Sequence, residues 1–493
     1  MGGVLVCNQE VKRKFQFIAV IITTVRFRNN ETAQGQHPIH SLLESRLGIH
    51  VHPKGTIYRL LHVLQQLADR KGQVQFTSTL RLVAKVISGN LAASLITMVT
   101  SILIARWTIP YDMGIWNTAL LVTVYSPALQ LGIFNGLNRE LPYLIGAGDK
   151  DRALRMAKAA YSWSWLLMCV SIIFGLFVAV WFWTKGQPVW CFTSIAVAVL
   201  VVCSWPTYYF TTTYRTHAEF GRLAKNTVVV ALAGVVLVPL VWRFHFNGLI
   251  LRASLLSIFS VAALYFRRPL PVKPQWGTNQ LVLLAKVGIP IWLVGQLGTF
   301  FVSLDRLMLV RSTQVLGYFT IAIQVGTFVR MIPGAFSAVL YPQMAHRYGE
   351  SHCAMDLWQI AKKGAIAASV LGLIAGACGW LLLPTFVRLV LPKYGPGIRA
   401  AQLSGFLGLA MGMYLFDNIY NVIKRQDLYV INWCIGCSSF FLIWYALTRV
   451  LQISLTIASA ESILAATFVM ALVSSLVSRR ACLAHDRRIR VHD

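Results

Sequence analysis

The chain has 493 residues, of which 56% are hydrophobic and only 13% charged; its mean hydropathy is +0.61. A soluble domain carries roughly a quarter charged residues, so soluble enzymes, secreted disulfide scaffolds and disordered chains are excluded. Its 45 Lys and Arg against 17 Asp and Glu give a net charge of +28, which in a soluble protein would point to nucleic acid. There is no helix-turn-helix, zinc finger or RNA-binding signature here, whereas a membrane protein uses such cations to hold loops at the cytoplasmic face and to meet anionic lipid. Apolar runs near 20 residues recur along the chain, each long enough to cross a bilayer core of about 30 Å. They are continuous rather than alternating, which excludes an outer-membrane barrel.

Residues 1–80 differ from the rest: they hold ten Lys and Arg and no long apolar run. Lys12-Arg13-Lys14 followed by the apolar stretch 15–25 has the look of a signal-peptide start, without a clean cleavage site. Ile57, Leu60, Leu61 and Leu64 recur at helical spacing and suit a helix lying on a membrane surface. This stretch is predicted to be a basic cytoplasmic extension, and it leaves the true start of the mature protein open.

From residue 84 the runs predict twelve spans, at 84–106, 114–136, 161–183, 189–210, 224–243, 246–266, 281–303, 315–341, 364–387, 400–421, 428–447 and 453–476. With the N-terminus inside, the inward segments carry 33 Lys and Arg and the outward loops nine, so both termini are expected in the cytoplasm. The fold class expected is therefore an all-α polytopic membrane protein of about 12 transmembrane helices. Ala84-Lys85-Val86 recurs as Ala285-Lys286-Val287, Gly114 as Gly317 and Pro142 as Pro342, at offsets of 201, 203 and 200 residues. Even spacing of six spans fits two six-helix bundles in parallel orientation around a central cavity. The predicted units are an N-terminal bundle over 81–270, a C-terminal bundle over 271–478 and a basic cytoplasmic tail over 479–493.

Nothing in the chain supports enzymatic chemistry. No loop is large enough for the catalytic carboxylates of a polytopic glycosyltransferase, ligase or polymerase. No phosphate-binding Gly-rich loop, nucleophile elbow or zinc-protease motif is present. The nine cysteines fall mostly within apolar runs; Cys434 and Cys437 read as small packing residues rather than a redox or metal pair. No metal or cofactor is expected.

Intramembrane charge is costly and marks pathways. Arg252 falls within the sixth span and Arg330 near the middle of the eighth. Lys286, near the end of the seventh, suits snorkelling to the interface. Asp305 and Arg306 end the seventh span, Asp417 lies in the tenth and Glu461 in the twelfth. Guanidinium groups grip a diphosphate through paired hydrogen bonds, whereas an exporter of cations is expected to place carboxylates at mid-membrane. The deepest charges, Arg330 and Arg252, favour an anionic cargo.

Several stretches carry a family resemblance. They are Ser88-Gly89-Asn90 through Ile104-Ala105-Arg106 to Pro110-Tyr111-Asp112-Met113-Gly114, then Leu131-Gly132-Ile133 and Asn138-Arg139-Glu140-Leu141-Pro142, with Gly146-Ala147-Gly148-Asp149 after them. Leu304-Asp305-Arg306-Leu307-Met308-Leu309 with Leu316-Gly317-Tyr318-Phe319, and Leu340-Tyr341-Pro342, complete the set. Over 84–476 the chain resembles the polysaccharide transport branch of the multidrug/oligosaccharidyl-lipid/polysaccharide flippase superfamily, which includes O-antigen and teichuronic-acid flippases. The resemblance implies two six-helix bundles in a bacterial inner membrane and flipping of undecaprenyl-diphosphate-linked oligosaccharide to the outer leaflet without ATP hydrolysis. The candidate substrate-binding residues are Arg330, Arg252, Asn90 and Arg139, and the candidate gating or coupling residues are Asp305, Arg306, Asp417 and Glu461. Its partners would be the lipid-linked oligosaccharide, membrane lipids, a polysaccharide polymerase and chain-length proteins, and no nucleic acid. The competing expectations are a cation-coupled drug exporter of the same superfamily, or a membrane polysaccharide polymerase or ligase.

Overall fold

The computed structural model describes residues 89–492, apart from 352 and 424. The predicted N-terminal extension over 1–80 and the repeat element at 84–86 lie outside the described residues. Among those described the chain is almost entirely helical, with no strand. Among the described residues, nine helices are long and apolar enough to cross a membrane, or ten when one bent pair is taken as a single span.

The first half contains α1 (Gly89–Trp107), α2 (Pro110–Tyr125), α3 (Ile133–Gly146), α4 (Lys150–Thr184), α5 (Pro188–Thr216), α6 (Phe220–Val236) and α7 (Val238–Phe266). The second contains α8 (Thr278–Leu309), α9 (Thr313–Tyr318), α10 (Thr320–Val329), α11 (Met331–Ser351), α12 (Ala354–Val390), α13 (Ile398–Gly405), α14 (Leu407–Gly412), α15 (Asp417–Val422), α16 (Gln426–Tyr445) and α17 (Leu455–His492). Pairing α2 with α3, α9 with α10 and α11, and α13 with α14 and α15 gives twelve passages in the order the apolar runs predict. Two details differ. The predicted fifth span, 224–243, is divided: α6 ends at Val236, and Val238 begins α7, with Pro239 in its first turn. Proline suits that position because its missing N–H would find no helical partner there anyway. α7 is itself sharply bent at His245, which has φ 49° and ψ −120° and whose Nδ1 lies 3.1 Å from the Trp107 carbonyl oxygen.

The second passage bends by 54° between Gln130 and Ile133. Leu131 and Gly132 both have positive φ, 51° and 75°. Gly132 is required twice over: a side chain there would be strained, and its Cβ would lie 2.5 Å from the Gly288 backbone. Gly136 and Leu284 repeat this close approach one turn on. Small residues let membrane helices touch backbone to backbone, where lipid gives no hydrophobic drive for association.

A second backbone contact relates the halves. A Cβ on Gly114 would fall 1.8 Å from the Thr313 carbonyl oxygen, and one on Gly317 would fall 1.8 Å from that of Pro110. Asn117 donates from Nδ2 to Thr320 Oγ1 at 2.8 Å. Residues 110, 114 and 117 thus each meet the surroundings of the residue 203 positions later, through contacts of 114 with 313, 110 with 317 and 117 with 320. A self-complementary contact of this kind is what a local two-fold axis produces. The Gly114–Gly317 repeat is therefore also a point of physical contact.

The buried cores follow the same division. At the Pro110 end one core is shared by both halves: Ile104, Met113 and Trp116 pack with Leu309, Leu316, Phe319, Leu391 and Tyr394. At the opposite end the cores are separate. Leu137, Leu141, Ala157 and Tyr209 form one, which takes in Leu281 and Leu284 at the start of α8. Met344, Leu357, Ala361, Ile419 and Cys482 form the other. The halves are thus fused at the Pro110 end and diverge at the other, with α8 reaching across.

Candidate functional site

Where the halves diverge lies a cavity of about 620 Å³. Val124 and Asn135 come from the second passage; Ile291, Gly295, Gly298, Thr299, Val302 and Arg306 run along α8; Asn421 comes from α15, and Gln426, Tyr429 and Trp433 from α16. The wall contains one charge, Arg306, together with amides, two hydroxyls and two aromatic rings, and no carboxylate. Gly298 makes room for an aromatic: its Cβ would stand 3.1 Å from the Trp433 ring. That ring is itself held by Phe301, Tyr414 and Tyr429.

Arg330 lies at the break between α10 and α11, where it caps α10 through its backbone N–H. It is near the middle of its passage, as the sequence predicts, but is set beside Arg306 rather than in the wall. Asp305, Arg306 and Tyr414 are within electrostatic reach of it. Its Nε is buried and unpartnered. A guanidinium taken out of water without full compensation costs several kcal/mol. Asp305, 6% exposed, offsets part of that cost. Its Oδ1 accepts from the Arg306 backbone N–H at 2.7 Å and lies 3.8 Å from Arg306 Nε. This cluster of Asp305, Arg306 and Arg330 thus holds two guanidinium groups for one carboxylate.

Asp417 follows a tight turn, Met413–Phe416, that breaks its passage. It is 4% exposed. It accepts a hydrogen bond from Ser474 and one from Asn432 Nδ2 at 3.4 Å. The hydroxyls of Tyr414, Tyr420 and Tyr429 are within its electrostatic reach. No basic side chain pairs with it among the described residues. Since Tyr429 lines the cavity, the carboxylate sits one layer behind the wall.

The remaining predicted residues are placed elsewhere. Arg252 does not line the cavity: its Nε donates to the Gly234 carbonyl at 3.1 Å, tying α7 to α6. The sequence grouped it with Arg330 by depth alone, and depth does not tell which way a helix face points. Asn90 is exposed at the start of α1. Arg139 is exposed on α3, one helical turn beyond the wall residue Asn135. Glu461 is half-buried on α17 between buried Ala460 and Ser462, and makes no hydrogen bond or ion pair with the described residues. No group of His, Cys, Asp and Glu among the described residues could hold a metal ion.

The uncharged wall residues Asn135, Asn421, Gln426, Tyr429 and Trp433 were not singled out by sequence. Asn421 and Gln426 fall at the ends of apolar runs, where polar residues read as ordinary loop.

The fold is that of solved transporters of the MOP superfamily. An inward-facing multidrug resistance MATE family transporter aligns with a TM-score of 0.64 at 15% identity, over 80% of this chain and 96% of that one. A MOP superfamily transporter from Pyrococcus furiosus, described by the reverse polarity of its binding pocket and a suggested different function, aligns at 0.61 and 16% over 83% and 96%. An outward-facing MATE transporter aligns at 0.57 and 15% over 82% and 96%. No protein-family model and no curated protein matches the sequence.

Proposed function

We propose that this chain is a flippase that carries undecaprenyl-diphosphate-linked oligosaccharide from the cytoplasmic to the outer leaflet of a bacterial inner membrane, for surface polysaccharide synthesis. The observation that carries the reading is the excess of guanidinium over carboxylate in the Asp305–Arg306–Arg330 cluster at the cavity: Arg306 stands in the wall and Arg330, incompletely partnered, beside it. A diphosphate supplies the missing negative charge and accepts bidentate hydrogen bonds from such groups. The amides of Asn135, Asn421 and Gln426 suit sugar hydroxyls, and the rings of Tyr429 and Trp433 suit the apolar faces of sugar rings. The lipid tail would stay in the bilayer beside the gap between the halves.

The predicted orientation puts the fused Pro110 end outside, so the cavity faces the cytoplasm, where the lipid-linked sugar is made. The higher TM-score to the inward-facing transporter than to the outward-facing one accords with this. Flipping then requires the contact at Gly114 and Gly317 to part while the opposite ends close, a rocking of one half against the other. Both termini would be cytoplasmic, and a polymerase and chain-length proteins would act on the product outside.

One observation favours a second reading, a cation-coupled exporter of drugs or other small molecules. Asp417 is a buried carboxylate with hydroxyl and amide partners and no cation, and the MATE neighbours are multidrug transporters. The two readings separate in one experiment. In a strain lacking the protein, Arg330→Ala should fail to restore surface glycan while Asp417→Asn retains at least part of it, with both proteins present at normal levels. Normal glycan with Arg330→Ala, and drug tolerance lost only with Asp417→Asn, would overturn the flippase.

A further inference from the structure

At the end of the second half opposite Pro110, two cations converge on a single indole. Lys362 Nζ on α12 lies 5.3 Å from the centre of the Trp358 ring, and Arg479 Cζ on α17 lies 5.5 Å from it. The two positive groups thus share one ring, each within 5.5 Å of its centre, and exposed Lys363 and Arg480 follow them in sequence. Neither Lys362 nor Arg479 makes a hydrogen bond or ion pair with any described residue. Among the described residues, two nearby carboxylates are committed elsewhere. Asp356 accepts from Arg347 Nε at 3.0 Å. Asp486 caps the start of α12, accepting from the backbone N–H of Ala354 at 2.6 Å and of Met355 at 3.1 Å. Trp358 is held against Phe416, with its Nε1 buried and unpartnered.

The depth of this cluster is set by helix length. From Lys362 to the end of α12 at Val390 is about 42 Å, and from the start of α17 at Leu455 to Arg479 about 36 Å, at 1.5 Å per residue. Both exceed a hydrocarbon core of about 30 Å, so the cations and the indole stand at the level of the lipid headgroups, where tryptophan also concentrates. Like charges brought together without a counterion among the described residues call for an external one. We propose that Lys362, Arg479 and Trp358 form a binding site for the phosphodiester headgroup of an anionic phospholipid, docked between α12 and α17. Arg479 would present its fork to the phosphate and Lys362 a point charge, while the acyl chains lie along the apolar flanks of the two helices. The site is separate from the central cavity and does not depend on the cargo assigned there.

The test uses the purified full chain in a neutral detergent, with its melting temperature followed as phosphatidylglycerol, phosphatidylcholine or inorganic phosphate is added. Phosphatidylglycerol should raise the melting temperature saturably, and the other two should not. At about 1 kcal/mol per basic residue at an anionic lipid surface, Lys362→Gln with Arg479→Gln should weaken half-saturation by about thirtyfold. Lys185→Gln, which removes a lone cation from the Trp181 ring, should leave it unchanged. Should the double variant not fold, each single variant should weaken half-saturation about fivefold. An equal response to phosphatidylcholine or to inorganic phosphate, or undiminished phosphatidylglycerol binding in the variants, would overturn the site.

Discussion

The contact between Gly114 and Gly317 can be tested quantitatively. An alanine at 114 would place its Cβ 1.8 Å from the Thr313 carbonyl oxygen. Carbon and oxygen settle at about 3.3 Å or more, so the two helices must part by about 1.5 Å. Overpacking of this kind costs about 1–3 kcal/mol. Alanine recovers about 1 kcal/mol of helix propensity over glycine, leaving a net loss of up to about 2 kcal/mol. Gly317→Ala should cost about the same, because its Cβ meets the Pro110 carbonyl at the same distance. Once one substitution has parted the helices, the second meets relieved surroundings, so the double variant should cost less than the sum of the singles. Unfolding in detergent measures all three. The loss falls on the state in which the Pro110 end is closed, so cross-linking between Asn117→Cys and Thr320→Cys in a cysteine-free background should also fall. Unchanged melting and cross-linking in Gly114→Ala would refute the contact, and strictly additive losses would refute its reciprocity.

Other outcomes follow from the site. Arg330→Ala should abolish transport with little loss of stability, because the guanidinium it removes is incompletely partnered in the fold; Arg330→Lys should retain only part of the activity, since an ammonium lacks the planar fork. Arg252→Ala should show the opposite pattern, a loss of about 1 kcal/mol in unfolding free energy from its bond to the Gly234 carbonyl with transport preserved. Asp486→Ala should cost about 0.5–2 kcal/mol through loss of the cap on α12, seen as a lower melting temperature at unchanged cargo affinity.

The twelve passages were legible because each is a continuous apolar run, and lipid leaves a helix as the way to satisfy its backbone. The turn between α6 and α7 was not, since residues on both sides of it are apolar and hydropathy passes over it; the helix-starting Pro239 was the available signal. Gly114 and Gly317 were legible as a repeated pair, but their mutual contact was not, because a periodic match does not say which copies meet. Charge pointed to Arg330, Asp305, Arg306 and Asp417, which the fold sets at or just behind the cavity wall. It misplaced Arg252, whose partner is a backbone carbonyl that no side-chain pattern announces. The cavity wall was the least legible part: Asn135, Asn421, Gln426, Tyr429 and Trp433 carry no charge and no fixed spacing, and come together only through the divergence of the halves.

The most direct test of the account is the leaflet in which lipid-linked oligosaccharide resides in cells lacking this protein, read as the fraction cleaved by an impermeant glycosidase added from outside. The account predicts that the lipid-linked sugar accumulates protected from the enzyme, and that the wild-type chain but not Arg330→Ala restores cleavage. Full cleavage in the deletion strain would contradict it.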